Sequence, residues 1–374
     1  MRIALLALSV AAFFGRPYPT LASDMATLGN NGIQQTAIAT ASKKDGSYDI
    51  GVKVFPVATP ERGAEMEMTI WYPAGRGGTR TVIGGGNPLF EGTTAFVNAP
   101  IAAGMWPLVI HSQGGLRSGP NIGGWMASRL AGKGFVVAML RQSDPAQLTE
   151  QETLPELWLR ASDISAALTA ILNQNDLFNR IDASRIAVLG FQVGGTAALS
   201  IAGGMLDVAR VKGSCDPGAI QGVDCGRFRR ANLNLHDVDM ARLSRPNADS
   251  RVKAIVVVDP EFSGEFTEES LARIKVPVGI INLGKPGSIW PGLNAKYLTQ
   301  GIPSARYVTV PDATQYSAFP ECKPRASAIL KDGGEEAICD DPVGGQSRRQ
   351  IHDALAEQVA TWLRSDFGEP SQAP

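Results

Sequence analysis

The chain has 374 residues, 44% of them hydrophobic, with 35 Lys+Arg against 36 Asp+Glu, 41 Gly, 24 Pro, 3 His and 4 Cys. This length suits one large α/β domain or two small ones. A net charge of -1 without a dense basic stripe excludes a binder that gains its affinity by neutralising nucleic-acid phosphates.

The chain opens on Met1-Arg2, an apolar run from Ile3 to Phe14, and small residues around Ala22-Ser23. These are the three parts of a secretory signal peptide, so residues 1–23 are expected to be removed near Ala22 or Ser23. The competing reading is an uncleaved anchor, but the run is shorter than the ~20 residues that span a bilayer, and no later segment is long and apolar enough to cross one. Export to the periplasm or outside the cell is the expectation. A polar, flexible lead over 24–46 precedes one domain over 47–367, and 368–374 form a tail.

Strand-like runs follow at Tyr48–Val57, Glu65–Tyr72, Pro107–His111, Phe135–Leu140, Arg185–Leu189, Val252–Asp259, Val276–Leu283 and Ala305–Val310. Helix-period segments lie between them, at Gly124–Ala131, Leu154–Asn173, Gly195–Ala209 and Glu268–Ile274, and after them at Arg348–Ser365. In the second of these, Leu157, Ala161, Ile164, Leu168 and Ile171 recur at three- and four-residue steps, as one buried helical face requires. Two early strands without a helix between them imply an antiparallel edge. The later alternation describes a mostly parallel, doubly wound sheet with helices on both faces.

The stretch 212–250 breaks this rhythm and reads as a small cap insertion over the carboxyl edge of the sheet. Its Arg227, Arg229 and Arg230 read as a solvated face rather than an anion site. All four cysteines fall in loop-like sequence as two local pairs. In an oxidising compartment Cys215–Cys225 and Cys322–Cys339 are the favoured pairings of three, each worth roughly 3 kcal/mol of loop entropy. A four-thiolate zinc site lacks any C-x-x-C knuckle. With only His111, His236 and His352 available, no metal and no cofactor is expected.

The most informative segment is Arg185-Ile-Ala-Val-Leu-Gly190-Phe191-Gln192-Val193-Gly194-Gly195. It reads as a buried strand, a tight turn with glycines two residues either side of its apex, and a helix of small residues. This is the pattern of a nucleophile elbow, G-x-S-x-G, with Gln192 where the serine should stand. No G-x-S-x-G occurs elsewhere in the chain.

From about Tyr48 to Phe367 the sequence resembles exported α/β-hydrolases of the predicted dienelactone hydrolase type, akin to platelet-activating-factor acetylhydrolases. The resemblance rests on Trp71-Tyr72-Pro73-Ala74, Trp106-Pro107-Leu108-Val109-Ile110, Ala161-Ser162-Asp163-Ile164, Asp182-Ala183-Ser184-Arg185-Ile186, the elbow, Asp259-Pro260, Phe319-Pro320-Glu321-Cys322 and Ile351-His352. It implies an α/β-hydrolase fold in which a serine, an aspartate and a histidine form a triad. Carried across, these positions are Gln192, Asp259 and Gln315. The oxyanion-loop segment reads Ser112-Gln113-Gly114, with glutamine again in place of histidine. The alternative acid position, after the next strand, reads Leu283-Gly284-Lys285-Pro286 and offers no carboxylate.

A carboxamide is not a usable nucleophile near neutral pH, and Gln315 cannot take and return a proton as an imidazole does. An oxyanion hole built from backbone N–H groups, expected from Val193 and the loop at Gln113 and Gly114, would survive these replacements. Binding and oxyanion stabilisation alone leave about 10³ to 10⁴ over water in a triad-deleted hydrolase, which is trace activity. Adjacent strand residues point to opposite faces, so His111 and Ser112 do not make a nucleophile–base pair. Ser317 reads as a loop serine, His236 falls in the cap, and the resemblance makes His352 structural. Asp259 reads equally as a strand-ending turn residue and as a retained triad acid.

The leading expectation is a catalytically impaired hydrolase-fold protein that binds an acyl or ester-like small molecule. A hydrogen-bonded string is expected through Asp259, Gln315 and Gln192, since each carboxamide can donate and accept. The alternative is a serine-type ester, lactone or short-acyl lipid hydrolase with a nucleophile elsewhere. A third class, a protein that docks a partner through its cap, would show a large exposed apolar patch near 212–250.

Overall fold

The computed structural model describes residues 43–44, 47–116, 118–141, 148–173, 178–220, 222–341 and 345–368. The expected signal peptide, most of the lead and most of the tail lie outside the described residues.

The Val- and Ile-rich runs become strands: β1 (Lys43–Lys44), β2 (Ser47–Thr59), β3 (Ala64–Ala74), β4 (Thr79–Ile83), β5 (Thr93–Val97), β6 (Trp106–Ser112), β7 (Val136–Leu140), β8 (Ile181–Phe191), β9 (Ala254–Val258), β10 (Val278–Leu283) and β11 (Ala305–Val310). Ten of them form one sheet in the order β11-β10-β9-β8-β6-β7-β3-β2-β5-β4, and β1 pairs with β2. All pairs from β7 through β11 are parallel. The pairs β2–β3, β3–β7 and β4–β5 are antiparallel, which gives the antiparallel side that the helix-free start of the domain implied.

Four helices set the layers: α1 (Gly124–Gly132), α2 (Glu156–Leu172), α3 (Val193–Ile201) and α4 (Arg348–Asp366). Leu157, Ile164 and Leu168 of α2 and Leu199 of α3 share one core with Leu108, Ile110, Ile186, Val188, Ile255 and Val257 of the strands. The alternate strand residues Val109, Ala187, Leu189 and Val256 are equally buried, and α1 packs on α4. Burial on both faces makes these strands near-continuous apolar runs, as parallel sheets require. At roughly 1.5–3 kcal/mol per buried Leu, Ile or Val side chain, this double burial is a major source of the sheet's stability.

Some expectations needed correction. The helix anticipated over 195–209 stops at Ile201, and a second short helix spans Val208–Gly213. Between them Gly203 has φ +113, and a methyl group on Gly204 would lie 2.9 Å from the Phe266 ring. The glycine pair thus turns the chain away under Phe266. Strands β4 and β5 were not anticipated, because each is only five residues long and β4 is largely exposed.

Segment 212–250 packs into the core through Phe228, Leu235, Met240 and Leu243. Arg227 is buried and paired with Glu150 and Asp224, so it is not part of a solvated face, whereas Arg229 and Arg230 are exposed. Both local disulfides form, Cys215–Cys225 and Cys322–Cys339. No helix among the described residues is long and apolar enough to cross a membrane.

The chain runs from β6 to β7 on one side and then to β8 on the other. In open α/β sheets this reversal opens a crevice outside the carboxyl ends of the two diverging strands. Ser112 and Phe191, the last residues of β6 and β8, place Gln113, Gly114 and Gln192 at that crevice.

Candidate ligand site at the end of the sheet

Gln192 joins β8 to α3 with φ +50 and ψ -119, a backbone conformation costing about 1–3 kcal/mol for a non-glycine residue. The surroundings hold it there. Gln192 N donates to Val258 O (3.0 Å), and Gln192 O accepts from Gly195 N, Thr196 N and Glu261 N at 2.8, 3.1 and 3.2 Å. A methyl group on Gly190 would lie 2.1 Å from Gly194 O, and one on Gly194 would lie 2.0 Å from Ser112 O. The two glycines that drew attention in the sequence are therefore demanded by backbone contacts across the turn. Val193 is the first residue of α3, so its N–H has no partner within the helix.

The loop after β6 is held from beneath by a residue that sequence reasoning missed. Arg160, 1% exposed on α2, donates from Nη1 to Gln113 O (3.0 Å) and Gly114 O, and from Nη2 to Gly115 O (2.8 Å). Its Nε donates to Glu156 (2.9 Å), and Glu156 and Asp163 both accept from Arg62. Burial raises the Glu156 carboxyl, but Arg160 and Arg62 outweigh it and hold the pKa below the usual range. Three successive carbonyls drawn to one guanidinium turn the N–H groups across those peptide planes, of Gly114, Gly115 and Leu116, away from it. Gly114 supplies the positive φ (+67) this loop needs, and its carbonyl also accepts from Gly194 N.

The side chain of Gln113 takes no part in this loop's open face. It is buried beside His111, whose Nδ1 meets Leu189 O at 3.2 Å. Burial pushes the His111 pKa down to about 4, so the ring is neutral, with Nδ1 donating to Leu189 O. His352 is also a buried neutral ring, with its pKa pushed down to about 3 by burial and by Arg129. It stacks on Trp125 and its Nε2 meets Ser317 O and Phe319 O, so it is structural. Ser317 Oγ accepts from Thr314 N (3.0 Å), which is the backbone role expected of it. His236 meets Asp216 at the surface (3.0 Å).

Asp259 follows β9 with φ +44. Its Oδ1 accepts from Asn282 Nδ2 (2.7 Å) and Leu283 N (2.9 Å), and Asn282 in turn accepts from Ala295 N. Burial pushes the Asp259 pKa up to about 7. Asp259 and Gln315 line one cavity of about 410 Å³ together with Leu283, Ile289, Trp290 and Tyr316. Gln192 does not line it. Its carboxamide oxygen lies near Gly115, where a methyl group would be 3.2 Å away. No hydrogen bond among the described residues links Asp259, Gln315 and Gln192 in the expected string; Asp259 Oδ1 accepts from Asn282 and Leu283 instead.

A second buried carboxyl sits at the elbow instead. Glu261 is 2% exposed, and its Oε1 would lie 2.9 Å from the same methyl position on Gly115. That oxygen has no hydrogen-bond partner among the described residues. Asp-Pro-Glu reads as a simple turn in sequence, and only the fold brings Glu261 under the apex.

Neither a family model nor a curated protein matches the sequence. Among solved structures, the chain is similar to a ferulic acid esterase from Streptomyces cinnamoneus, with a TM-score of 0.56 and 19% identity over 90% of this chain and 97% of that one. At this identity the likeness shows the fold alone, a mostly parallel α/β sheet shared with a hydrolase.

Proposed function

We propose that this chain is a hydrolase-fold protein without working ester-hydrolase chemistry, which binds an acyl or ester-like small molecule. The observation that carries the reading is Gln192, a carboxamide held at the strained apex where the fold would present a nucleophile. Gln315, in place of a general base, points the same way. In this reading an acyl oxygen is received by the N–H of Val193 and by N–H groups of the loop at Gln113 and Gly114, since backbone donors do not depend on the replaced side chains. The cavity bordered by Asp259 and Gln315, which none of these donors lines, has the size and the mixture of apolar wall and few polar groups that suit the remainder of a small ligand. The two disulfides support export to an oxidising compartment, periplasmic or extracellular. Segment 212–250 serves as its cap. Its one large exposed apolar side chain among the described residues is Ile220, too little to favour a protein-docking role.

The test is fluorophosphonate labelling of the purified protein read by intact mass, with turnover of p-nitrophenyl butyrate alongside. The expected result is no adduct and no turnover, with adduct formation restored in the double variant Gln192→Ser, Gln315→His. A stoichiometric adduct on the wild-type chain would overturn the reading and locate the nucleophile of an active ester or lactone hydrolase.

A further inference from the structure

The scheme above leaves one oxygen of Asp259 without a partner. Oδ1 is taken by Asn282 and Leu283, while Oδ2 accepts no hydrogen bond among the described residues. The residue is 2% exposed, yet this oxygen is not sealed in by the fold, and Asp259 borders the cavity it shares with Gln315. Oδ2 therefore opens onto that cavity. Two carboxylates border it, Asp259 and the exposed Asp340, and among the described residues no lysine or arginine does. Lys285, adjacent in sequence to Gly284 of the wall, is exposed and does not border it. The titratable groups that bear on Asp259 from the elements around it are Glu261, on the turn after β9, and Tyr307 of β11, whose hydroxyl donates to Asn282. Neither brings a positive charge. Trp290 and Tyr316 add aromatic surface to the same wall. An anion is repelled from such a space, and a ligand without a donor leaves a buried carboxylate oxygen unpaired, which is costly. A protonated amine supplies the missing charge and the missing N–H donors, and aromatic faces attract it as well.

We propose that this cavity receives a protonated primary amine, which donates to Asp259 Oδ2 and lies against Trp290 and Tyr316. The inference deepens the acyl-binding reading and rests on it for one point, that the cavity takes the remainder of the ligand; the amine head itself needs none of the backbone donors. In the free protein burial holds the Asp259 pKa at about 7. A cation beside the carboxyl favours its charged form, so binding at lower pH releases a proton to solvent, and affinity is lost as pH falls through about 7. No covalent bond forms or breaks in the ligand.

The experiment is calorimetric titration of the oxidised full chain at pH 8 with 2-phenylethylamine and three analogues of similar shape. Phenylethanol is neutral, phenylacetate is anionic, and the trimethylammonium analogue keeps the charge and lacks the N–H donors. The expected result is that the amine binds roughly tenfold or more tightly than each analogue, and about tenfold more weakly at pH 6 than at pH 8. Asp259→Asn, checked for folding by its thermal melt, loses both the preference for the amine and its pH dependence while still binding phenylethanol. An analogue that binds as tightly as the amine, or a preference that survives Asp259→Asn and vanishes in Asp340→Asn, would overturn the inference and leave the acyl-binding reading standing. Methyl butyrate that fails to bind while the amine binds would overturn the acyl-binding reading alone. Failure of the amine and methyl butyrate alike would overturn both.

Discussion

Replacing Asp259 by Asn tests whether this residue is an ionised, paired group or a buried carboxyl carried at a cost. The Asp259 pKa lies at about 7, above the ordinary 3.8 of an aspartate, because burial disfavours the charge more than its two donors favour it. A carboxyl whose pKa is raised on folding contributes fully below its unfolded value, and that contribution is lost as pH climbs through the folded value. Wild-type stability should therefore fall between about pH 4 and pH 7 and level off above. At 1.36 kcal/mol per unit, ionising this one group costs the folded state on the order of 4 kcal/mol. Asn keeps an oxygen to accept from Asn282 Nδ2 and Leu283 N and cannot ionise. In urea denaturation, Asp259→Asn should lose about 1 kcal/mol or less at pH 4.5 and gain roughly 2–4 kcal/mol over wild type at pH 8.5. A stability difference that stays constant across this range would refute the reasoning and show that Asp259 is ionised and held by its neighbours.

Two further substitutions probe the frame of the site. Gly194→Ala should destabilise by about 3 kcal/mol or more, since its methyl group would enter the carbonyl of Ser112, whereas Gly203→Ala should act only through its positive φ, at about 1 kcal/mol; thermal melts compare them. Arg160→Met should cost about 3–5 kcal/mol in chemical denaturation by leaving Glu156 with Arg62 alone and freeing three carbonyls. Loss of protection at the amide of Gly194, which donates to Gly114 O, should accompany it in hydrogen exchange, and unchanged exchange there would refute the role given to Arg160.

Periodicity and glycine placement carried most of the fold into view. The elbow was legible because backbone contacts leave no choice but glycine at 190 and 194, and such constraints print themselves on the sequence. Arg160 was not legible, since a Glu and an Arg four apart on a helix are ordinarily an exposed ion pair. A signal was present, as Arg160 falls three residues after Leu157 and four before Ile164, on the edge of the apolar stripe. Glu261 had no such signal. Its burial comes from the turn after β9 folding beneath α3, a contact between segments some 65 residues apart, where the Thr196 hydroxyl donates to Glu261 O. Asn282, a single polar residue in the apolar run of β10, was likewise read as part of a strand and not as a partner of Asp259.

The disulfide Cys322–Cys339 carries a practical consequence. Ala337 and Asp340, on either side of Cys339, form part of the wall of the cavity that Asp259 and Gln315 share. The buried Arg348 grips the same strip, donating to Pro320 O, Ile338 O and Asp341. The sheet itself owes nothing to this strip. Material produced in a reducing cytosol would melt earlier, having lost roughly 3 kcal/mol per bridge, yet retain its far-ultraviolet spectrum below that transition while the wall of the cavity hangs loose. Ligand screens on such a preparation would return false negatives, so thiol content should be titrated to zero before any compound is declared inactive.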